Sequence, residues 1–599
     1  MIKPSKPELN GTFGAVASTH WLATATGMAL LESGGNAFDA AVAAGFVLQV
    51  VEPQSNGFGG DLAAVFYEAA ADQVWVVCGQ GPMPRAATER AFDELGLTQI
   101  PGSGLLPATV PGSFGGWLQL LAECGTKTVR EVLDPAISYA AHGYPLLPEA
   151  ARAITLLAPL FRNHWFGSAE VYLAGGVPTG GSKMRNPWLA ATLTRLVKEA
   201  EAASTDRLGQ IEAAHRAFYS GFVAEAMSEF ASGTEVLDAT GQQHRGLIDA
   251  DDLAGWQPTI EPSASIGYRG HTVHKPGSWT QGPVFLQQLA LLEGFDLSSI
   301  DHNSGEYVHL VCEAAKLALA DREAWYGDPT HGSDPLPVLL SPEYTAMRRT
   351  LLGTTANLDP RPGSVAGRAP RLVTPVVDTP VADPEWLAQI HEGVPNLVLA
   401  ATIKSGDTCT VSVTDRWGNA VAAVPSGGWL KSSPVIPGLG ISLGTRGQAM
   451  WLSNPEHPNA LRPGKRPRTT LSPTVVVGDG AALAFGTPGG DRQDQWTVAS
   501  LLAVIDHGWD LQSATEAGMF CSDHFPTSFA PHASRPGVVS IEENVGEATI
   551  GELRARGHRV AVAPAWSMGK VCMVSSGGPH GFVRAGASPR GHQAYAAVR

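Results

Sequence analysis

The chain has 599 residues, 44% of them hydrophobic and 16% charged, a composition that excludes a disordered polymer. Its formal net charge of −15, with no basic stripe, excludes an electrostatic footprint for nucleic acid. No run of about 18 apolar residues is present, so no membrane span is expected.

Taken in chain order, Leu22, Ala25, Ala29 and Leu30 fall at helical spacing, and Gly34-Gly35-Asn36 ends that helix. A second helix is predicted from Ala37 into Val47. Ala63 to Val77 alternates and is rich in Val and aromatics, the pattern of half-buried strands. Thr109-Val-Pro-Gly112 is a turn that leads into a helix through Trp117 and Leu121. Ala190 to Phe230 reads as charged helices, and Tyr307 to Tyr326 as a helix with Val308, Val311, Cys312, Ala315 and Leu319 on one face. His309 on that helix is taken as a packed or capping residue. Asp359 to Glu385 is proline-rich and aperiodic, so an exposed loop is expected, with a short helix near Trp386 to His391. Thr408 to Val424 is strand-like around a turn at Asp415-Arg-Trp-Gly-Asn419, and further strands are expected at Thr474 to Val477 and Ala482 to Phe485.

The six cysteines form no C-x-x-C pair and no zinc-spaced cluster with histidine, which points to reduced, mostly buried thiols. The polar start, Met1 to Thr12, has no apolar signal-like core, and a cytoplasmic location is expected. No P-loop and no H-E-x-x-H run occurs. Ala565-Trp-Ser567-Met-Gly569 lacks the first glycine of a serine-hydrolase elbow.

The chemistry centres on Ser405-Gly-Asp407-Thr408-Cys-Thr. A threonine hydroxyl inside a chain has no partner to take its proton. Cleavage of the preceding bond would give Thr408 an α-amine with an ordinary pKa of about 7.7–8.0, and this amine can serve as general base for the hydroxyl of the same residue. Gly406 provides backbone freedom at the cut.

The surrounding motifs resemble those of the gamma-glutamyltransferase family. They are Gly34-Gly-Asn-Ala-Phe-Asp-Ala-Ala41, Ser55-Asn-Gly-Phe-Gly-Gly60, Thr109-Val-Pro-Gly112 with Trp117, Asp415-Arg-Trp-Gly-Asn-Ala-Val421, Pro463-Gly-Lys-Arg-Pro467, Leu471-Ser-Pro-Thr474 and Gly486-Thr-Pro-Gly-Gly490. The resemblance covers nearly the whole chain. It implies an α+β fold, the four-layer αββα sandwich of N-terminal-nucleophile hydrolases. It also implies self-cleavage between Asp407 and Thr408 into fragments 1–407 and 408–599, which stay together as a heterodimer and could pair again into a dimer of these. No metal or organic cofactor is implied, and the partner is a small-molecule amide.

By the same resemblance, Thr408 falls on the nucleophile and Ser426 on a hydroxyl that hydrogen-bonds it. Thr469 and Thr470 fall on a substrate-contacting pair, and Gly489 and Gly490 on the oxyanion-binding amides. Three positions depart from the family. Cys78 stands where an arginine clamps the substrate α-carboxylate, Gly428 stands where an asparagine is usual, and Gly444 to Ala449 lacks a carboxylate for the α-amino end. Arg446 in that stretch is either a replacement carboxylate contact or a solvated loop residue. The departures resemble the branch holding cephalosporin (glutaryl) acylases and an oxamate amidohydrolase. The expected activity is acyl transfer from a gamma-glutamyl or related dicarboxylic amide to water or an amine, with glutaryl or oxalyl amides as the alternative. A non-catalytic binding or scaffold relative is the reading of another class.

Overall fold

The computed structural model describes residues 4–373, 376–377, 408–577 and 579–599. Asp407, the end of the proline-rich stretch and the short helix expected near Trp386 to His391 lie outside the described residues.

Two seven-stranded antiparallel sheets form the centre. The first runs, in spatial order, Tyr595–Val598, Gly14–Ser18, Val411–Asp415, Ala420–Ser426, Asp61–Glu68, Gln73–Gly79 and Thr259–Pro262. The second runs Leu9–Gly11, Val583–Ala587, Cys572–Ser575, Ala481–Gly486, Thr474–Gly478, His271–Lys275 and Ala264–Tyr268. Segments from before and after position 408 contribute strands to both sheets. Val411 pairs with Ser18, Val421 with Phe66, and Val476 with Val273. A break at 407 would therefore leave both halves hydrogen-bonded into shared sheets.

The layering follows from alternation along the strands. Ala420, Ala422 and Val424 point into the layer between the sheets, where they meet Ala15, Ala17, Ala63, Ala482, Ala484 and Ala585. Val421 and Ala423 point the other way, toward the helices Trp21–Glu32 and Ala37–Val51. The far face of the second sheet is covered by Gly282–Leu292, Gly305–Trp325 and Gln493–Ile505. This is the αββα sandwich expected from the resemblance.

Local chemistry explains several motifs as scaffold. Asn36 and Asp39 form a reciprocal capping box at the start of Ala37–Val51. Asp39 also accepts from the backbone amides of Thr126 (2.8 Å) and Lys127 (2.9 Å). Asp415 closes the hairpin turn by accepting from the amides of Trp417 and Asn419, and its other oxygen accepts from the amide of Ala37 at 2.9 Å. The helix Ala37–Val51 is buried along its whole length. Gly45 costs it about 1 kcal/mol of propensity relative to Ala, but a Cβ there would lie 2.2 Å from Trp117 Cζ2.

Two expectations are corrected. The sequence reading placed no strand before the first helix, yet Gly14–Ser18 is a buried strand beside Val411–Asp415. The stretch beginning at Asp359 is not wholly exposed. Gly363 and Val365 are buried, and Gly363 accepts from Trp325 Nε1 at 2.8 Å and donates to Asp321 at 2.8 Å.

Candidate active site

Thr408 sits at the entry to the strand Val411–Asp415 and is 3% exposed. It bridges in antiparallel fashion to Ser426, the last residue of the neighbouring strand, and the two hydroxyl oxygens are 3.2 Å apart. The amide of Cys409 donates to the carbonyl of Pro425 at 3.0 Å, which fixes the register beside the hydroxyl pair. Thr408 and Ser426 are thus brought together, as the sequence suggested.

Behind them is a buried wall that the sequence reading missed. Asn56 Nδ2 donates to Cys409 Sγ at 3.0 Å, and Gln593 Nε2 donates to Glu52 Oε2 at 3.1 Å. Burial raises the Glu52 carboxyl to about 7, against the lowering influence of Lys570. Burial likewise pushes the Cys409 thiol well above its usual value. The only sequence signal for Glu52 was a carboxylate at the end of a mostly apolar helix.

Past Ser426 the chain turns through Gly427 and Gly428, at φ +73° and +62°. A Cβ on Gly428 would lie 2.8 Å from the amide nitrogen of Gly60. No side chain fits there without displacing the Ser55–Gly60 loop.

In the second sheet, a Cβ on Gly486 would meet Thr410 Oγ1 at 2.5 Å and Val424 Cγ2 at 3.1 Å. This packing carries the Gly486–Gly490 turn to the same end of the sandwich as Thr408. Gly489 has φ +138° and its α-carbon faces the Trp496 ring; a Cβ would lie 2.2 Å from Trp496 Cζ3. Gly490 has φ +56°. Both conformations favour glycine. Thr469 and Thr470 are each 1% exposed, and Thr469 is tied by backbone hydrogen bonds to Trp279 and Gln281.

Arg446 is buried at 4% exposure rather than solvated. Its Nε donates to Asp61 Oδ2 at 2.5 Å and its Nη2 to Asp61 Oδ1 at 3.0 Å. Asp61 stands opposite Ser426 in the strand register. Two donors of the guanidinium are therefore committed to a carboxylate of this chain.

Cys78 presents a similar arrangement. Arg466 Nη1 lies 3.0 Å from Cys78 Sγ, so a guanidinium stands beside Cys78. That guanidinium is paired with Glu261 at 2.7 Å and Asp328 at 2.9 Å. Burial raises the Cys78 thiol to about 11, against the lowering influence of Arg466.

Among the described residues, His309, Glu313 and His558 place potential metal-ligand atoms within 4.8 Å of one another. His309 Nδ1 and His558 Nε2 hydrogen-bond at 2.8 Å, and Glu313 is already paired with Lys316 and Arg361. His309 is 3% exposed, and its Nε2 shares a hydrogen bond with the carbonyl of Gly353 at 2.9 Å.

The profile of the gamma-glutamyltranspeptidase family matches residues 23–598. The acylase ACY 1 proenzyme of Pseudomonas sp. (strain SE83) is 30% identical over 577 residues, covering 93% of this chain and 89% of that one. The solved structure of LmbA2991HD superposes with a TM-score of 0.92 at 46% identity, with both chains covered in full (100% and 100%). The cephalosporin acylase from Bacillus halodurans gives a TM-score of 0.81 at 26% identity, covering 100% of this chain and 97% of that one. With the αββα sandwich and a threonine at the head of its central strand, the chain belongs to the gamma-glutamyltranspeptidase family of amide hydrolases and acyltransferases.

Proposed function

We propose that this chain cleaves itself between Asp407 and Thr408 and then hydrolyses or transfers the acyl group of a small amide through an acyl-Thr408 intermediate. The observation that carries the reading is the 3.2 Å contact between the Thr408 and Ser426 hydroxyls at the end of a central strand. In the first stage the Thr408 hydroxyl attacks the carbonyl of Asp407. An N-to-O acyl shift follows, and water releases the new terminus. The α-amine of Thr408 then takes the hydroxyl proton as Thr408 attacks the substrate amide. Ser426 orients the nucleophile, and the amides of Gly489 and Gly490 hold the tetrahedral oxyanion. The leaving amine departs with the proton, and water or a second amine takes the acyl group. Fragments 1–407 and 408–599 remain one catalytic unit through their shared sheets.

The acyl group in this reading is a dicarboxylic one without the amino-acid head of glutamate, such as glutaryl or oxalyl. Arg466 and Arg446 are neutralised by the chain's own carboxylates, and Gly428 leaves no side chain to hold an α-amine. The acylase name of the Pseudomonas relative supports the same choice. The six thiols, none in a disulfide, support a reducing, cytoplasmic setting.

The test is a denaturing gel with mass spectrometry of the purified protein, followed by a panel of glutaryl, oxalyl, gamma-glutamyl and simple acyl p-nitroanilides. A fragment beginning Thr-Cys-Thr-Val, with glutaryl or oxalyl turnover above gamma-glutamyl, is expected. A single uncut band with no turnover would overturn the reading in favour of a binding or scaffold role, and dominant gamma-glutamyl turnover would overturn the choice of acyl group.

A further inference from the structure

A Gly-Gly turn has no side chains with which to hold itself, and glycine is the least constrained backbone. An oxyanion-binding turn nevertheless has to be fixed before the charge develops, because reorganising it during the reaction would cost the rate. Gly489 is restrained by Trp496. The restraint on Gly490 comes from farther away. Gln281 Nε2 donates to the carbonyl of Gly490 at 2.9 Å, and Gln281 Oε1 accepts from Arg322 Nη1 at 2.8 Å. Arg322 Nη1 also reaches Asp491 Oδ1 at 2.6 Å, and Asp491 accepts from the amide of Ser528 at 2.8 Å. The peptide after Gly490 is thus held from both sides, by its carbonyl and by the next side chain.

The arrangement has one orientation. The cationic N–H of Arg322 faces the amide oxygen of Gln281, which turns the amide NH2 toward Gly490; the flipped amide would oppose donor to donor and acceptor to acceptor. Arg322 is 1% exposed. Burial works against its charge, but Glu323 and Asp491 hold its pKa above the ordinary guanidinium value, so the clamp stays charged. The backbone of Gln281 completes the link, its amide donating to the carbonyl of Thr469 at 2.9 Å. One neutral residue therefore connects the buried helix Gly305–Trp325 and the oxyanion turn through its side chain, and the threonine pair through its backbone.

We propose that Gln281, oriented by Arg322, is a positioning residue for the oxyanion turn. This rests on the reading of Gly489 and Gly490 as oxyanion donors and goes beyond it, since neither residue touches the reacting atoms. The variant of choice is Gln281→Met, which keeps the volume and leaves the Arg322 pairs with Asp491 and Glu323 in place. Gln281→Glu is the second variant, retaining the acceptor toward Arg322 and losing the donor toward Gly490. Each is purified as the self-processed enzyme and assayed on whichever p-nitroanilide of the panel the wild type turns over best. Inhibition by butylboronic acid, which forms a tetrahedral adduct on a nucleophilic hydroxyl, is measured alongside. Both variants should lose about 10²-fold in kcat, the scale of a displaced catalytic group, with KM changed less than about 2-fold and boronate affinity falling in parallel. Melting temperatures near that of the wild type separate this from a loss of fold. If both variants keep kcat and boronate affinity within about 2-fold of wild type while Thr408→Ala is inactive, the positioning role is wrong and the acyl-Thr408 reading stands. If the wild type turns over no member of the panel, or Thr408→Ala stays active, the reading beneath it fails instead.

Discussion

The two sides of the Thr408 end of the sandwich are built from opposite materials. On the side where the proposed reaction would run are hydroxyls and glycines, Thr408, Ser426, Gly489 and Gly490, held by strand register and close packing. On the recognition side are charges that the chain has already neutralised for itself: Arg446 by Asp61, and Arg466 by Glu261 and Asp328. In the proposed reading the first side carries the hydroxyl pair and the amides that nucleophilic attack would use. The second has turned arginines into parts of the wall, where a substrate carboxylate would have to displace an internal one. In the proposed reading, attack and recognition can diverge separately in one site, because their residues hang on different supports.

The sharpest way to break this contrast is Thr408→Ala. It removes the hydroxyl from the reaction side without touching the other. Self-cleavage and turnover should both disappear, a loss of at least about 10³-fold, as for other covalent nucleophiles. Persistence of the 407–408 cut, read by mass spectrometry of the intact chain, would place the nucleophile elsewhere.

On the recognition side the expected cost is in stability. Arg446→Met leaves Asp61 buried and unpaired, which should destabilise the fold by about 3–5 kcal/mol. The companion Asp61→Leu/Arg446→Met double variant should recover most of that, because both charges are then gone. Denaturant titration of the three proteins decides it. A single variant as stable as wild type would show that the pair is not structural and would return Arg446 to the substrate.

Glu52 gives a pH-dependent effect of about 3 kcal/mol at most, from its rise from 4.5 to about 7 in the folded state. Between those values the unfolded chain has lost the proton that the folded chain keeps. The folded state therefore binds more protons, and stability falls as pH rises from about 4.5 through about 7. Glu52→Gln should flatten that limb, so that the variant overtakes wild type above pH 7 in melting temperature. Equal slopes for the two proteins would mean that the carboxyl is ionised in the fold.

What the sequence made legible follows the range of the interactions. Asp415 with Asn419 acts across four residues, and its motif was legible as a hairpin turn; the helix from Ala37 was expected after the Gly34-Gly35-Asn36 stop, without the Asn36–Asp39 pair that caps it. The strand Gly14–Ser18 was missed because its small residues are strand-like only beside Val411–Asp415, from the far end of the chain. Arg446 stayed ambiguous because its partner, Asp61, is 385 positions away. Cys78 was singled out in the sequence, but Arg466 beside it was not, since it lies in a motif whose role in the sequence was only to mark the family. Gln281 and Arg322 gave no local pattern beyond a charged Asp321-Arg322-Glu323 triplet inside a buried helix.

The smallest expected effect tests how the reaction side is held. Ser426→Ala removes the hydroxyl 3.2 Å from Thr408 Oγ1 and leaves the strand bridge in place. A single neutral hydrogen bond contributes about 0.5–1.5 kcal/mol, which corresponds to a loss of up to about 10-fold in kcat. Ser426→Thr should restore most of it, because the hydroxyl returns on a β-branched residue suited to a strand. The register, set by Cys409 and Pro425, is unchanged in both variants, so KM should hold while kcat moves. If Ser426→Ala keeps full kcat, the nucleophile is oriented by the backbone alone. If instead the loss reaches that of Thr408→Ala, Ser426 takes part in proton transfer rather than orientation.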